Sequence, residues 1–405
     1  MNRHSPHLVA LGALALSTWI SSAALAGVAP QELLIYYSWP SIINGSTSVA
    51  EAASHFGQYD LIVLGDLLEK TSHPDHGNTA AILANPALAQ TEAYGYITLG
   101  VTSQNLSPAE ITLRIDEWQA TGAEGILFDE YGYDYQVTRE RQNLAVAHAH
   151  AVGMKVIANA WVPADAFDPA VHPTGNPTGL PTLLRPSDAF LFESFQIQEG
   201  TYVPESAWRT KADALLTYRA QYGSSIFAVT TVLPETVYDE AALHYAWFSA
   251  ALDGWSALGW GEYLFAALTG QAPYRDRPVI DPGANFAGDL LRESPVYRRF
   301  TNTGQLRVDA SSHAFAFLPG TADAHSPAPG PSFLLAPNPG RGVIHLVRPG
   351  GGRSHIVVLD VTGRVVVPLQ SIGPGSVAIS APPEAGSYYV RLVETAETVR
   401  LVRLR

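Results

Sequence analysis

Between residues 33 and 268 the chain repeats one pattern: a short, almost continuously apolar run, then a longer stretch of helical character. The runs are Leu33–Tyr37, Leu61–Asp66, Tyr94–Leu99, Gly125–Asp129, Val156–Trp161, Ala189–Glu193, Ile226–Val232 and Tyr263–Leu268. Strands buried on both faces read this way, because neither side can carry polar groups to water. The helical stretches have recognisable ends. Ser107-Pro108-Ala109-Glu110 supplies an N-cap hydroxyl, a proline at the first helical position and the glutamate of a capping box. A second stretch, Val137 to Val152, stops at Gly153. Eight such strand–helix units predict an α/β fold, a (β/α)8 TIM barrel. A doubly wound open sheet would favour a glycine-rich phosphate loop after the first strand. The segment there, YYSWPSIINGS, has no GxGxxG.

A barrel of this kind places its chemistry at the C-terminal ends of its strands. The runs end in Tyr36-Tyr37-Ser38-Trp39, in Gly65-Asp66, in Asp129-Glu130-Tyr131-Gly132-Tyr133-Asp134-Tyr135, in Asn159 and Trp161, in Glu193-Ser194, and in Thr230-Thr231. Residues i and i+2 share a face of a strand. With Asp129 pointing inward, Leu127 and Gly125 do so too, and Ile126 and Phe128 face the helices. Glu193 likewise groups with Leu191 and Ala189, leaving Phe190 and Phe192 outside. Two carboxylates on non-adjacent strands then face each other across the mouth. That is the equipment of glycoside hydrolysis, in which one acid protonates the leaving oxygen and the other attacks or activates water. Tyr36, Asp66, Glu130, Tyr131, Asp134, Asn159 and Trp161 are the candidate sugar-binding groups, since aromatic faces pack on sugar rings and polar tips bind hydroxyls. Asp129 is read as nucleophile or base and Glu193 as general acid, with the reverse assignment open. Acids at strand ends also serve as helix caps or arginine partners.

The segment LRIDEWQATGAEGILFDEYGYD resembles the fourth-strand block of the endo-α-1,4-polygalactosaminidase family and its spherulin-4-like relatives. VIANAW is similar to their fifth strand and AFLFESFQ to their sixth. The resemblance covers roughly residues 30–270. It implies a glycoside-hydrolase barrel, an amino-sugar polymer as substrate class, and Asp129 and Glu193 as catalytic carboxylates. The chain departs from the family at YYSWP and at YGYDYQVTRERQN. The later segment SPVYRRFTNTGQLRVD resembles the closing segment of bacterial glycoside hydrolases. It implies that residues 270–318 pack on the barrel.

The chain's 405 residues carry a net charge of −13, unevenly spread. Residues 332–405 hold eight arginines against four acids, while residues 27–331 hold fifteen basic and thirty-three acidic side chains. An acidic body with a basic tail reads as two modules, and the acidic body lacks a nucleic-acid binder's basic footprint. Cysteine is absent and lysine occurs three times, at Lys70, Lys155 and Lys211. Thiol chemistry and disulfides are thereby excluded, and amine chemistry has few candidates.

Residues 1–26 read as a secretory signal peptide: a short start with Arg3, an apolar run from Leu8, and Ala24-Leu25-Ala26 before the cut. The alternative is an uncleaved anchor; no later segment is apolar for long enough to span a bilayer. Residues 27–318 form the barrel domain with its closing segment, and 319–332 a Pro/Gly-rich linker. Residues 333–405 read as a small all-β, immunoglobulin-like sandwich. Its expected strands are Gly342 to Val347, the pair Ile356 to Asp360 and Arg364 to Leu369, and a closing hairpin of Ser387 to Val393 with Thr398 to Leu404. LAPNPGRGVIHL, VVLDVTGRVV and AGSYYVRLVETAETVRLVRLR, in that order, resemble the C-terminal sorting domain of type IX secretion cargo. The family's opening Pro-Asn-Pro-Phe or -Ala is Pro337-Asn338-Pro339-Gly340 here. The resemblance implies the type IX machinery as partner and a secreted or surface-attached product.

Other constellations carry less. His73-Pro74-Asp75-His76 has two imidazoles and a carboxylate, which zinc would accept, but no further ligand set is recognisable. His148 and His150 sit two apart on a helix and point to different sides. Arg139 and Arg141 are expected to neutralise Glu130 or Asp134. Ser194 lacks a G-x-S-x-G setting. The leading expectation is therefore a secreted, polysaccharide-cleaving glycoside hydrolase that needs no cofactor. A non-catalytic carbohydrate-binding barrel and a metal-dependent hydrolase using His73, Asp75 and His76 are the alternatives. The separation of the two carboxyl groups discriminates the first two.

Overall fold

The computed structural model describes residues 27–65 and 67–320. Beyond these it describes 334–336, 343–348, 354–361, 364–372, 375–380, 382–393 and 398–403. The expected signal peptide, Asp66, most of the expected linker and the Pro337–Gly340 opening lie outside the described residues. The chain divides into two units, one ending at Gly320 and one beginning at Thr321.

Eight parallel strands close into a barrel: β1 Gln31–Tyr36, β2 Leu61–Leu64, β3 Glu92–Thr98, β4 Gly125–Asp129, β5 Lys155–Ala158, β6 Ala189–Glu193, β7 Ser225–Thr231 and β8 Ala257–Gly261. Helices α1 Val49–Phe56, α2 His76–Leu83, α3 Pro108–Thr121, α4 Arg139–Ala151, α5 Pro163–Phe167, α6 Glu205–Tyr222 and α7 Glu240–Asp253 alternate with them. The first unit is thus a (β/α)8 barrel.

The two faces of each strand feed two cores. Leu33, Ile35, Val63, Tyr94, Leu127, Ile157, Leu191 and Val229 fill the interior. Leu34, Ile62, Ile97, Ile126, Phe128, Phe190 and Phe192 point outward and pack under the helices. Gly95 shows how close a helix comes. A Cβ there would stand 2.1 Å from the Trp118 ring of α3, and the Trp118 indole donates to the Tyr96 carbonyl at 3.2 Å. Ser107 caps α3 by accepting from the Glu110 amide at 3.1 Å. The Glu110 carboxylate does not close the box; it pairs with Lys70 at 2.8 Å.

One strand differs from the sequence reading. The eighth is Ala257–Gly261, not Tyr263–Leu268. Residues 263 to 266 all have φ between 51° and 62°, a turn that reverses the chain over the barrel mouth. Two of the five residues of ALGWG are glycines, so it lacks the continuous apolar side chains by which the other runs are read. Gly259 is small because a Cβ there would meet the Leu33 carbonyl of β1 at 2.7 Å.

After the barrel, four antiparallel strands follow: β9 Leu291–Glu293, β10 Val296–Phe300, β11 Gly304–Asp309 and β12 Ala314–Pro319. Tyr297, Leu306 and Val308 share one core with the helices. Phe315 stacks on Phe248 of α7 with centroids 4.9 Å apart. Barrel and sheet cover α7 from two sides, which is why residues 245–253 are buried throughout. The connecting segment is tied down by Arg275, bidentate on Glu262 at 2.8 Å, and by Arg277 on Glu32 and Asp60.

The second unit has two antiparallel sheets. One runs in the order β13 (Leu334–Ala336), β14 (Ile344–Arg348), β17 (Gly375–Ile379). The other runs β16 (Val365–Ile372), β15 (Ser354–Leu359), β18 (Gly386–Leu392), β19 (Thr398–Arg403). Leu335, Ile344, Leu346 and Ile379 from the first and Ile356, Val358, Val390 and Leu401 from the second form its core. Two strands, β13 and β17, were not read from the sequence. Among the described residues no helix is long and apolar enough to cross a membrane.

Gly95→Ala tests the helix–strand contact. The Trp118 ring cannot recede from a buried site without strain, and overpacking of this kind costs about 1–3 kcal/mol. Thermal denaturation is expected to show a lowered Tm, partly recovered by adding Trp118→Leu. An unchanged Tm for Gly95→Ala would refute the packing account.

Candidate active site

Asp129 and Glu193 are the last residues of β4 and β6, and both lie in the inward phase of their strands. Between them stands β5, whose next residue is Asn159. The Asn159 backbone continues the ladder, donating to the Phe128 carbonyl at 2.9 Å and accepting from the Tyr131 amide at 2.9 Å. This fixes the side chain between the two acids. Its Nδ2 donates to Asp129 Oδ1 at 2.8 Å and to Glu193 Oε2 at 2.9 Å. Tyr96 of β3 donates its hydroxyl to Asp129 Oδ2 at 2.7 Å. One nitrogen serving both acids keeps the accepting oxygens within about 6 Å of each other. The two N–H bonds of a planar amide diverge so that roughly 5 Å is the natural separation.

Burial pushes the Asp129 carboxyl above its ordinary range; hydrogen bonds from Tyr96, the Glu130 amide and Asn159 oppose the rise. Glu193 is raised chiefly by burial and further by the charge of Asp129, against the Asn159 hydrogen bond and the charge of Lys211. Asp129 has the richer set of donors to its charged form. Each also has a like-charged neighbour, Glu130 for Asp129 and Asp129 for Glu193, so it is the weaker donor set of Glu193 that distinguishes them. Such environments separate a standing carboxylate from a proton carrier.

A cleft of about 270 Å³ opens over this pair, lined also by Glu130, Asp134, Tyr135, Asn159 and Trp161. Glu130 adopts φ 50° and turns its carboxylate onto the loop after β3. There it accepts from Thr98 Oγ1 at 2.6 Å and from Ser103 Oγ. Gly100 makes room, since a Cβ would stand 2.0 Å from Glu130 Oε2. Asp134 lies on the short turn Tyr133–Tyr135, held by the Tyr133 amide donating to Asp165 at 2.9 Å. Trp161 is 59% exposed, an indole presented to solvent at the edge of the cleft. A second depression adjoins it, sharing Trp161 and Glu193 and adding Ser194, Gln198, Thr231 and Phe265.

The structure therefore brings together Asp129, Glu193, Glu130, Asp134, Asn159 and Trp161. Two expected rim residues are elsewhere. Tyr36 is fully buried on the outer face of β1, its hydroxyl donating to the carbonyls of Trp39 and Gly270. Inward parity on β1 belongs to Leu33 and Ile35, so the mouth receives Tyr37, whose ring meets Tyr96 and Phe265 at 5.3 and 5.4 Å. Tyr131 is fully buried in the helix-facing core, turned away by the left-handed backbone of Glu130. Arg139 and Arg141 do not neutralise the cleft acids. Arg139 donates to the carbonyls of Ala166 and Asp168, and Arg141 to that of Leu99. Asp75 accepts from the Ser41 amide and Asn78, and His76 bonds the Leu68 carbonyl. Among the described residues no group of three His, Cys, Asp or Glu is arranged to hold a metal. His148 pairs with Asp116 and His150 with Asp188, on separate sides of α4.

Tyr96, Tyr135, Phe265 and Lys211 were not among the candidate site residues, although Tyr135 was placed on the rim. Tyr96 had a signal: it shares parity with Tyr94 and Thr98, below the last residue of its run. The others reach the mouth from turns and from a helix, where strand parity says nothing.

Fold and site together define a (β/α)8 barrel with a bridged carboxylate pair at its C-terminal mouth. No protein-family model matches the chain, and no curated protein matches it. Solved structures of similar fold include a modular endo-beta-1,4-mannanase of glycoside hydrolase family 26 from Cellulomonas fimi. It shows TM-score 0.39 and 11% identity, covering 94% of this chain and 95% of that one. The octameric ribulose-1,5-bisphosphate carboxylase/oxygenase of Pyrococcus horikoshii OT3 shows TM-score 0.34 and 13% identity over 57% of this chain and 54% of that one. A dihydrodipicolinate synthase from Agrobacterium tumefaciens shows TM-score 0.32 and 14% identity over 59% and 71%. At this level of similarity they do not bear on chemistry.

Asn159→Ala removes one donor from both carboxylates at once. Both are expected to hold their protons more tightly, and NMR titration of 13C-labelled Asp and Glu side chains is expected to show Asp129 and Glu193 moving upward together. Movement of neither would refute the bridge.

Proposed function

We propose that this chain is an exported glycoside hydrolase that cleaves a polysaccharide with retention of anomeric configuration. The observation that carries the reading is the Asn159 amide bridging Asp129 and Glu193. Retaining enzymes hold their carboxyls about 5–5.5 Å apart, whereas inverting ones leave about 6.5–9.5 Å for a water. Asp129, with its donors from Tyr96 and Asn159, is the nucleophile. Glu193, raised by burial and by its neighbour's charge, is the acid and base.

In the first step Glu193 protonates the glycosidic oxygen as its bond to the anomeric carbon breaks, and an Asp129 oxygen bonds that carbon. In the second, water attacks the glycosyl ester, its proton passing to Glu193, and Asp129 leaves as carboxylate. Trp161 offers a flat face to a sugar ring. Glu130 and Asp134 add negative charge beside the pair, which suits a cationic, deacetylated amino sugar. That agrees with the substrate class implied by the resemblance to polygalactosaminidases. In the same reading residues 1–26 are an export signal, and the C-terminal unit is a type IX sorting domain leaving the protein secreted or on the cell surface.

The test is digestion of a panel of amino-sugar polymers and mixed exopolysaccharides by the purified protein, with the first-formed anomer followed by NMR. Retention is expected, and Asp129→Asn and Glu193→Gln are each expected to lose at least about 10³-fold in kcat, as loss of a catalytic group does. Full activity in both variants would sink the assignment. Saturable glycan binding without turnover would identify a binding protein instead.

A further inference from the structure

Lys211 of α6 is the lysine the site has not yet used. The other two are ion-paired, Lys70 with Glu110 and Glu117 and Lys155 with Glu92, each at 2.7–2.8 Å. Lys211 has no carboxylate within ion-pair distance among the described residues. Its Nζ lies 5.0 Å from the Phe192 ring centroid, 5.1 Å from Trp161 and 5.7 Å from Phe190. It donates to the Ala160 carbonyl at 3.5 Å. The ammonium thus sits in an aromatic cage in the wall behind the ends of β5 and β6. Phe190 and Phe192 are the outward residues of the strand that ends in Glu193, and Trp161 is the exposed indole of the cleft.

We infer that Lys211 is a positioning residue of this site: its caged ammonium holds the Trp161 platform and sets the charge that the Glu193 carboxyl feels. The first half follows from the attraction of a cation to an aromatic face, which grows when water is excluded. The second follows from the layout of charge. The carboxyl groups acting on Lys211 are Glu193 from β6 and Asp134 from the turn after β4. On its own helix Glu205, Arg209 and Asp213 engage one another. Burial lowers the Lys211 ammonium to about 8, with Glu193 and Asp134 holding it up against a larger fall. In return Lys211 draws Glu193 downward, against burial and the charge of Asp129. The general acid therefore releases its proton readily enough to serve as base in the second half of the reaction. The role in turnover rests on the glycosidase reading; the coupling between the two groups does not.

Two measurements separate these. The first needs no substrate. With 13C-lysine the protein gives three Cε resonances, one per lysine. Lys211, identified by its loss in Lys211→Met, is expected to titrate near 8, below the other two, and lower still in Glu193→Gln. The Glu193 carboxyl, followed by 13C-glutamate, is expected to move up by about 0.5–1 in pH in Lys211→Met, a modest case of an opposite charge removed. Titration of Lys211 together with the other two lysines, or an unmoved Glu193, would overturn the inference. The second is the pH profile. Lys211→Met is expected to raise KM several-fold and carry the alkaline limb of kcat/KM upward, because the acid keeps its proton longer. Lys211→Arg is expected to restore both. A displaced acidic limb instead would show Glu193 acting as the nucleophile and overturn its assignment as the acid. NMR shifts as expected with no glycan hydrolysed would overturn the glycosidase reading and leave the coupling standing.

Discussion

Closing eight strands into a barrel ties the direction of each side chain to its parity. Once Leu127 and Leu191 point inward, Asp129 and Glu193 have no choice but the mouth. The strand between them then decides how the two acids relate. Because β5 contributes an amide at that level, each acid shares a donor with the other. Buried carboxylates are costly unless hydrogen-bonded. Here Tyr96 and Asn159 reduce that cost for Asp129 while leaving Glu193 less well supplied. The asymmetry of their surroundings is a consequence of which strands flank which acid.

Much of this was legible in the sequence, and the reason is parity. GILFD and AFLFE show the same alternation, so both acids could be placed from their neighbours alone, and their strands run Gly125–Asp129 and Ala189–Glu193 as read. Where parity was not applied, the reading slipped. Tyr36 was taken for a rim residue though it shares a face with Leu34; Tyr37 occupies the mouth. Tyr131 lies beyond a left-handed residue, where alternation ceases to hold. The eighth strand hid behind its glycines, which are there because neighbouring backbone comes too near for a Cβ. Lys211 approaches from a helix, and its three aromatic neighbours come from two separate segments. No single stretch of sequence displays that cage. Arg139 and Arg141 illustrate a further limit. Charge proximity along the chain suggested acids as partners, and the fold gave them carbonyls that would otherwise lack donors.

The cleft gathers acids, yet they are not equivalent. Glu130 already spends its carboxylate on Thr98 and Ser103, so it contributes charge more than reach. Asp134 stands on the turn after β4 and Trp161 follows the neighbouring β5, so both border the same cleft. Glu193 and Trp161 border both depressions of the rim; Glu130 and Asp134 line one of them, and Ser194, Gln198, Glu199, Thr231 and Phe265 line the other.

The four-stranded sheet behind α7 has a consequence for how such a protein is inherited. A helix buried on two sides belongs to neither neighbour alone. A barrel trimmed to its eighth strand would present the Phe248 side of α7 to water, and the sheet without the barrel would have no floor. Duplication or recombination that separated them would leave each part with an uncovered apolar face. The heritable block is the barrel with its sheet, and the natural place to graft or exchange a partner domain is after residue 320.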